Sequence, residues 1–372
     1  MMKGLRKVSR WVTGLVFIFS GFVKGVDPLG TAYKLEDYFA AYGLEWANSF
    51  ALELSVLLCS LEFMLGIALI MNLLPKLTSR LLMLMMVFFT LLTFYDAIYA
   101  PVPDCGCFGD AIKLTNWQTF YKNLVLMVFV LLIYFDRKNM KCRPSTGHHL
   151  LLMLFVLLGF AGFSICNYRH LPLLDFMDWK EGNNMVADQS QAEVHLTYRN
   201  IHSGELKDYI SPNYPWNDSA WLADWEFVDQ KFVTDQPTIA HNLHVEDEAG
   251  NDFTSYVLES ETMAVIVAYD LTAVSTRGQQ HLDRLLSMLE AKSTPHLMLT
   301  ASLPDGVALW KQKNRSQTEV FFADATVLKT MIRSNPGLIL LSEGIVLKKW
   351  HHNDFPDAED FGKLLTNIQQ HP

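Results

Sequence analysis

The sequence predicts an α-helical transmembrane bundle followed by an α/β soluble domain, and three observations carry that expectation. Five apolar stretches, at about 11–26, 50–74, 81–100, 119–135 and 150–167, fill the first part of the chain. Charge divides where they end: up to Arg169 there are 15 Lys and Arg against 10 Asp and Glu, and from His170 onward 15 against 29. Beyond about residue 238, short apolar runs alternate with segments of helical periodicity, the pattern of an α/β domain. The chain has 372 residues, half of them hydrophobic and only 19% charged. That composition excludes a disordered or fibrous protein. A formal net charge of −9 argues against nucleic-acid binding.

Crossing a bilayer takes about 20 apolar residues, with ~17–25 the usual range. The second, third and fifth stretches reach that length, and the fourth meets its lower limit. The first is short and carries Lys24, so by itself it is ambiguous between a span and a cleaved signal peptide. No small-x-small cleavage site follows it, however; the next residues are Asp27-Pro28-Leu29-Gly30. It is therefore read as a retained helix that opens the bundle.

Loop charges set the expected orientation. Lys3, Arg6, Lys7 and Arg10 precede the first span. Lys76 and Arg80 lie between the second and third, and Arg137, Lys138, Lys141 and Arg143 between the fourth and fifth. The alternate loops are acidic or neutral. Five spans with a cytoplasmic N-terminus put all three basic segments on one side. The soluble domain then lies outside, in a bacterium in the periplasm, and the protein is expected to be a multi-pass protein of the bacterial inner membrane, embedded in the lipid bilayer.

Charges inside spans are costly and call for partners or roles. Glu62 lies 12 residues into the second span, about 18 Å deep at 1.5 Å per residue, too deep to reach water. It is expected to face the bundle interior as a proton-handling or packing carboxylate. Lys24, Glu53 and Asp96 lie nearer span ends, where snorkelling or interhelix pairing accounts for them.

Five cysteines are present, none after Asn167. Cys142 falls in a loop assigned to the cytoplasm, where thiols stay reduced. Cys59 lies in the outer part of the second span, and Cys166 at the outer end of the fifth. Cys105 and Cys107 share the outer loop Pro101-Val102-Pro103-Asp104-Cys105-Gly106-Cys107-Phe108-Gly109-Asp110. Two thiols separated by one glycine on an oxidising side can pair, and a ring so small is strained and easily reduced. The pair is accordingly a candidate redox couple; a static staple and a partial metal site are the alternatives, the latter short of the usual four ligands. Cys59 and Cys166 are either ordinary helix residues or relay thiols.

At these residues the chain resembles a known family. Arg10 to Lys24, with Thr13-Gly14 and Ser20-Gly21-Phe22, resembles the first span of DoxX-like proteins, and Cys105-Gly106-Cys107-Phe108-Gly109 resembles the signature loop of the MauE branch. The resemblance covers about residues 8–137. It implies a four-helix membrane module tied to disulfide formation or maturation of exported proteins, working with a thioredoxin-like partner or an exported client. Analogy with other four-helix disulfide-generating membrane proteins adds a membrane quinone as electron acceptor. Expected domain bounds are 1–140 for the four-helix module, 141–169 for a tethering fifth span, 170–237 for a linker and small β/aromatic-rich segment, and 238–372 for the α/β domain.

In the soluble half, 170–192 is polar and reads as a linker or collar. Residues 193–198 alternate as a strand, and Ser203-Gly204-Glu205 gives a turn. Tyr209, Tyr214, Trp216, Trp221, Trp225 and Phe227 read as a small core rather than a sugar- or quinone-facing surface. Then come a hairpin (239–245, 250–254), strands at 263–269, 296–300, 319–322, 338–341 and 345–350, and helices at 279–289, 308–314, 327–333 and 357–368. This order resembles the thioredoxin fold in its TlpA and peroxiredoxin-like branch over about 238–370. Asn335-Pro336-Gly337 sits where that fold has its cis-proline, so a cis bond before Pro336 is expected. The family's Cys-x-x-Cys belongs near 272–277, where this chain has Thr272-Ala273-Val274-Ser275-Thr276-Arg277. Without a thiol the domain cannot carry out thiol–disulfide exchange or peroxide reduction alone; it is left as a docking surface or a scaffold. The functions weighed are a membrane thiol–disulfide redox component, a non-enzymatic membrane scaffold with a structural Cys-Gly-Cys loop, and, last, a transporter.

Overall fold

The computed structural model describes the chain apart from residues 1, 103–105, 138–145, 187–192, 211–214, 216–217, 234–242 and 371–372. Cys105, Cys142, Tyr214, Trp216 and the first strand of the expected 239–254 hairpin, up to residue 242, therefore lie outside the described residues.

Helix α1 (Met2–Val26) is followed at once by α2 (Pro28–Ala41), the two axes meeting at 95°. Pro28 has no N–H to give and disfavours helical geometry at Asp27, so the first helix must stop there. Asp27 then caps the second, its carboxylate accepting from the Gly30 N–H at 2.9 Å. A short 3-10 turn (Glu45–Phe50) leads into α3 (Ala51–Met71), then α4 (Pro75–Tyr99), α5 (Asn116–Asp136) and α6 (Thr146–Arg169). Thr115 and Gln118 close a capping box at the start of α5. Four helices are long and apolar enough to cross a membrane, or five if α1 and α2 make one bent span. This is a multi-pass membrane protein. Leu84, Phe88, Leu91, Phe135, Leu151 and Phe155 stand exposed on α4, α5 and α6, as lipid-facing side chains do and a soluble surface of this extent does not.

The tightest crossing is α1 on α3. A side chain at Gly21 would come within 2.8 Å of the Cys59 carbonyl oxygen, and one at Gly66 within 2.7 Å of the Gly14 carbonyl oxygen. Small residues let these backbones touch, the usual means of helix association in lipid. One departure from the sequence expectation concerns 28–41, read as part of an outer loop. It is helical, and buries Pro28, Ala32 and Tyr38.

Two sheets make up the soluble half. Strands β1 (Glu193–Asn200), β2 (Leu206–Ile210) and β3 (Trp225–Val233), with the short helix α7 (Ser219–Asp224), form an antiparallel sheet in the order β2-β1-β3. Trp221 packs between Tyr198, Tyr209 and Trp225, at ring separations of 4.7, 5.5 and 6.0 Å, as expected of a small aromatic core. The larger sheet has the order β6-β5-β4-β7-β8, built from β4 (Met263–Val267), β5 (His296–Thr300), β6 (Val320–Phe322), β7 (Gly337–Ser342) and β8 (Ile345–His351). The first three are mutually parallel, and β7 runs antiparallel to both β4 and β8. Helices α8 (Thr254–Leu258), α9 (Thr276–Ala291), α10 (Pro304–Asn314), α11 (Ala325–Met331) and α12 (Ala358–Gln370) complete it. Strand β4 is buried along its whole length between two apolar clusters, one on each face, which is why it reads as an unbroken apolar run. The Asn335–Pro336 bond is cis.

Two expectations are corrected here. Residues 250–254 make no strand: Glu246 and Asp252 form a single bridge across a turn, and α8 follows. Nor is 170–186 a linker. Trp179 and Met185 are buried in the α/β core, and the Gly182 and Met185 amides donate to the Val346 and Gly344 carbonyls at 2.8 Å. Two large apolar side chains and the unpaired edge of β8 pull this polar stretch into the domain.

Candidate functional site

The bundle holds a cavity of about 810 Å³ that extends from Tyr38 and Cys107 to Val16 on α1 and Leu81 on α4. Its walls come from α1 to α5 and are chiefly Leu, Met and Phe; Gly106, Cys107 and Phe108 lie at its edge. Gly106 (φ 62°) and Gly109 (φ 52°) adopt left-handed backbone geometry, which glycine enters without strain. The Gly109 amide donates to the Gly106 carbonyl at 3.0 Å and closes the turn. Phe108 packs on Phe19 at 5.5 Å, with the Lys122 ammonium 4.4 Å from its ring centre.

One polar corner interrupts the apolar wall. Lys24 Nζ on α1 meets Glu62 Oε1 on α3 at 2.6 Å, both side chains almost fully buried. Ser20 Oγ lies 2.8 Å from Glu62 Oε2 and 2.8 Å from the Cys107 carbonyl oxygen. It therefore links the carboxylate to the cysteine loop. The Lys24 ammonium is within electrostatic reach of both Cys107 and Cys59. Cys59 is fully buried on α3, near Ser55 and Thr31. An apolar chamber with a cation, a carboxylate and a thiol-bearing loop at one corner suits a mostly apolar ligand whose polar head takes up or gives up protons.

These positions can be set against the expectations. Glu62 faces the interior, and Lys24 finds the interhelix partner expected of it. Asp96 is also buried and paired, accepting from the Tyr38 hydroxyl at 2.6 Å; Glu53 is exposed. Cys107 borders the cavity, with Cys59 near its charged corner. Cys166 is an exposed thiol on α6 outside the cavity lining. Among the described residues no three His, Cys, Asp or Glu side chains are grouped as metal ligands.

Neither Ser20 nor Arg333 was foreseen from the sequence. Arg333 follows α11, two positions before the cis peptide, and reaches from the α/β domain into the bundle. Its Nε meets Asp27 at 2.8 Å and its Nη2 meets Asp110 at 3.1 Å, with only 7% of the side chain exposed. Burial disfavours the charge, but Asp27 and Asp110 outweigh it and raise the guanidinium above its ordinary value. Asp110 is three residues past Cys107, and Asp27 sits at the α1–α2 bend, so one side chain fastens the cysteine loop and the bend together. A side chain at Gly30 would come within 2.8 Å of Arg333; glycine leaves it room. Lys329 adds a 3.9 Å ion pair with Glu36 and stacks 4.3 Å from Tyr33, and the Tyr33 and Tyr269 hydroxyls meet at 3.0 Å. Only the motif Cys105 to Asp110 and the acid at Asp27 hinted at this contact; nothing in the sequence pointed to their partner.

Fold and site together define a helical membrane module with a chambered apolar interior, capped by an α/β domain. The family described as methylamine utilisation protein MauE matches residues 2–136, α1 through α5; α6 and the soluble elements lie beyond the match. No curated protein matches the chain.

Proposed function

We propose that this protein is a membrane thiol–disulfide redox component in which Cys105 and Cys107 switch between dithiol and disulfide. The observation that carries this is the apolar cavity lined in part by Cys107, with the Lys24–Glu62 pair and Ser20 at its charged corner. Oxidation of the two thiols forms one S–S bond and releases two protons and two electrons. A membrane quinone in the cavity takes up both and leaves as quinol. Reduced thiols of an exported client, or of a thioredoxin-like partner, then exchange with the disulfide and restore the dithiol. Glu62 and Lys24 serve as the proton-handling corner, with Cys59 as a relay thiol beside them; Cys166 stands apart and is the weaker relay candidate. Loop charges favour an N-terminus in the cytoplasm of a bacterial cell, with the cysteine loop and α/β domain in the periplasm.

Sheet order, the cis bond before Pro336 and the Ser342-Glu343-Gly344 turn support a thioredoxin-like fold for the α/β domain. It has no cysteine and does not exchange disulfides. Its contacts through Arg333 favour a role in ordering the cysteine loop. The methylamine substrate in the family's description is not carried over, because no residue of this chain points to an amine.

A second reading has one observation behind it. The Arg333 clamp equally suits a non-enzymatic scaffold in which the Cys-Gly-Cys loop is a brace. Alkylation trapping in membranes, with and without added quinone, separates the two. Redox activity predicts that Cys105 and Cys107 become protected when quinone is supplied and reactive when it is withdrawn, with one quinol formed per pair oxidised. A Cys105→Ser, Cys107→Ser protein that is abundant, folded and still supports client maturation would leave the scaffold as the function.

A further inference from the structure

A second cavity, of about 410 Å³, lies where the α/β domain meets the bundle. Its floor includes Leu29 of α2, and Tyr168 and Arg169 at the end of α6. Its roof comprises the loop after β4 (Tyr269, Ala273, Ser275), Arg277 in the first turn of α9, the segment Arg333-Ser334-Asn335, and His351, His352 and Asn353. The register brings these together. Val267 pairs with Gly337, so the chain leaving β4 runs beside the cis peptide, and the Asn335 side-chain amide donates to the Asp270 carbonyl at 2.7 Å.

The lining is one-sided in charge. Three arginines line it and no carboxylate does, although the chain beyond Arg169 is strongly acidic; burial holds His351 and His352 neutral, so they add ring nitrogens rather than charge. Asp270 and Asp354, adjacent in sequence to lining residues, are engaged: Asp270 accepts from Thr272 and Ala273, and Asp354 from His170. Arg333 is satisfied by Asp27 and Asp110. Arg169 and Arg277 are exposed and make no ion pair among the described residues. Like charges gathered around a cavity repel, and such a cluster is favoured when an anion joins it.

We propose that this cavity binds a phosphate group carried on a larger molecule, with Arg169 and Arg277 as its principal ligands. One guanidinium satisfies both oxygens of a carboxylate; donors approaching from several directions suit the three terminal oxygens of a phosphate monoester. The volume exceeds a bare ion, and Leu29, Tyr168 and Tyr269 offer an apolar and aromatic wall to the remainder of the ligand. Tyr168 and Arg169 end a membrane-spanning helix, so the phosphate has two sources, a lipid headgroup or a soluble phosphomonoester. The proposal does not rest on the redox role of the cysteine pair.

The full-length protein in a phosphate-free maltoside detergent is titrated calorimetrically with glycerol 3-phosphate, and separately with phosphatidic acid added to the micelles. Arg169→Gln/Arg277→Gln is the test variant; both residues are exposed, and an unchanged melting temperature without ligand certifies its fold. Arg284→Gln, which removes an exposed arginine on α9 outside the lining, is the charge control. Saturable binding that weakens about tenfold or more in the double variant and holds in the control supports the site. A response to both probes or to glycerol 3-phosphate alone assigns a soluble ligand, and to phosphatidic acid alone a lipid headgroup. No binding of either probe, binding undiminished in the double variant, or equal loss in the control overturns the proposal.

Discussion

Lys24 and Glu62 show how much a single side chain means inside a membrane. Each alone is a charge in a medium that cannot solvate it; together, at 2.6 Å, they compensate one another. Glu62→Gln should therefore destabilise the protein by about 3–5 kcal/mol, because Lys24 is left buried and unpaired. Lys24→Met combined with Glu62→Gln should recover most of that loss. Denaturant unfolding in detergent measures both. If the two variants lost the same stability, the pair would not be the reason. In the α/β domain, His351 offers a pH test. Burial, then the neighbouring His352 and His170, lower its pKa from 6.5 to about 3. The unfolded chain takes up this proton near 6.5 while the folded protein refuses it until about pH 3, so the residue subtracts stability as pH falls through that window and is neutral in its effect above it. Melting temperatures of the parent and His351→Gln should follow the same slope above pH 6.5 and diverge below it, the parent falling faster. The deep position of Glu62 was legible from counting along the span. Its partner was not, since Lys24 lies 38 residues away and only the α1–α3 crossing brings the two together.

Elements divide by how strongly their periodicity is written. The strands and helices from 263 to 368 were legible almost one for one, because β4, β5 and β7 are buried on both faces and α9 carries Leu282, Leu285, Leu286 and Leu289 on one. Helix α2 was hidden by mixed polarity: it buries Tyr38 toward Asp96 yet leaves Asp37 exposed and Lys34 and Glu36 half-buried, and so reads as neither a span nor an amphipathic helix. The packing of α1 on α3 gives an element-scale prediction. Gly66→Val should cost about 1–3 kcal/mol by overpacking, because the new carbon would meet the Gly14 carbonyl at 2.7 Å and Ile18 at 2.7 Å. Gly162→Ala, on α6 where nothing lies within 4 Å, should be near neutral by comparison. Equal thermal stability of the two in detergent would mean that α1 and α3 do not pack this closely.

At the scale of the whole molecule, the α/β domain is fastened to the cysteine loop rather than hung beside it. Arg333→Gln leaves Asp27 and Asp110 without their cation and should loosen the turn 106–110. Hydrogen exchange at the Gly109 amide and alkylation of Cys107 should both quicken severalfold. Unchanged rates at Gly109 and Cys107 would mean the clamp does not hold the loop. The sequence by itself determined a membrane bundle joined to an α/β domain and the deep carboxylate, because apolar run length and charge partition are properties of neighbours along the chain; the cis bond before Pro336 was expected only from the resemblance to the thioredoxin fold. Only the tertiary structure decided that Lys24 meets Glu62 at an apolar chamber, that residues 170–186 complete the α/β domain, and that Arg333 binds Asp27 and Asp110 from across 306 and 223 residues of chain. Those pairings depend on helix crossings and sheet register, which no local pattern encodes.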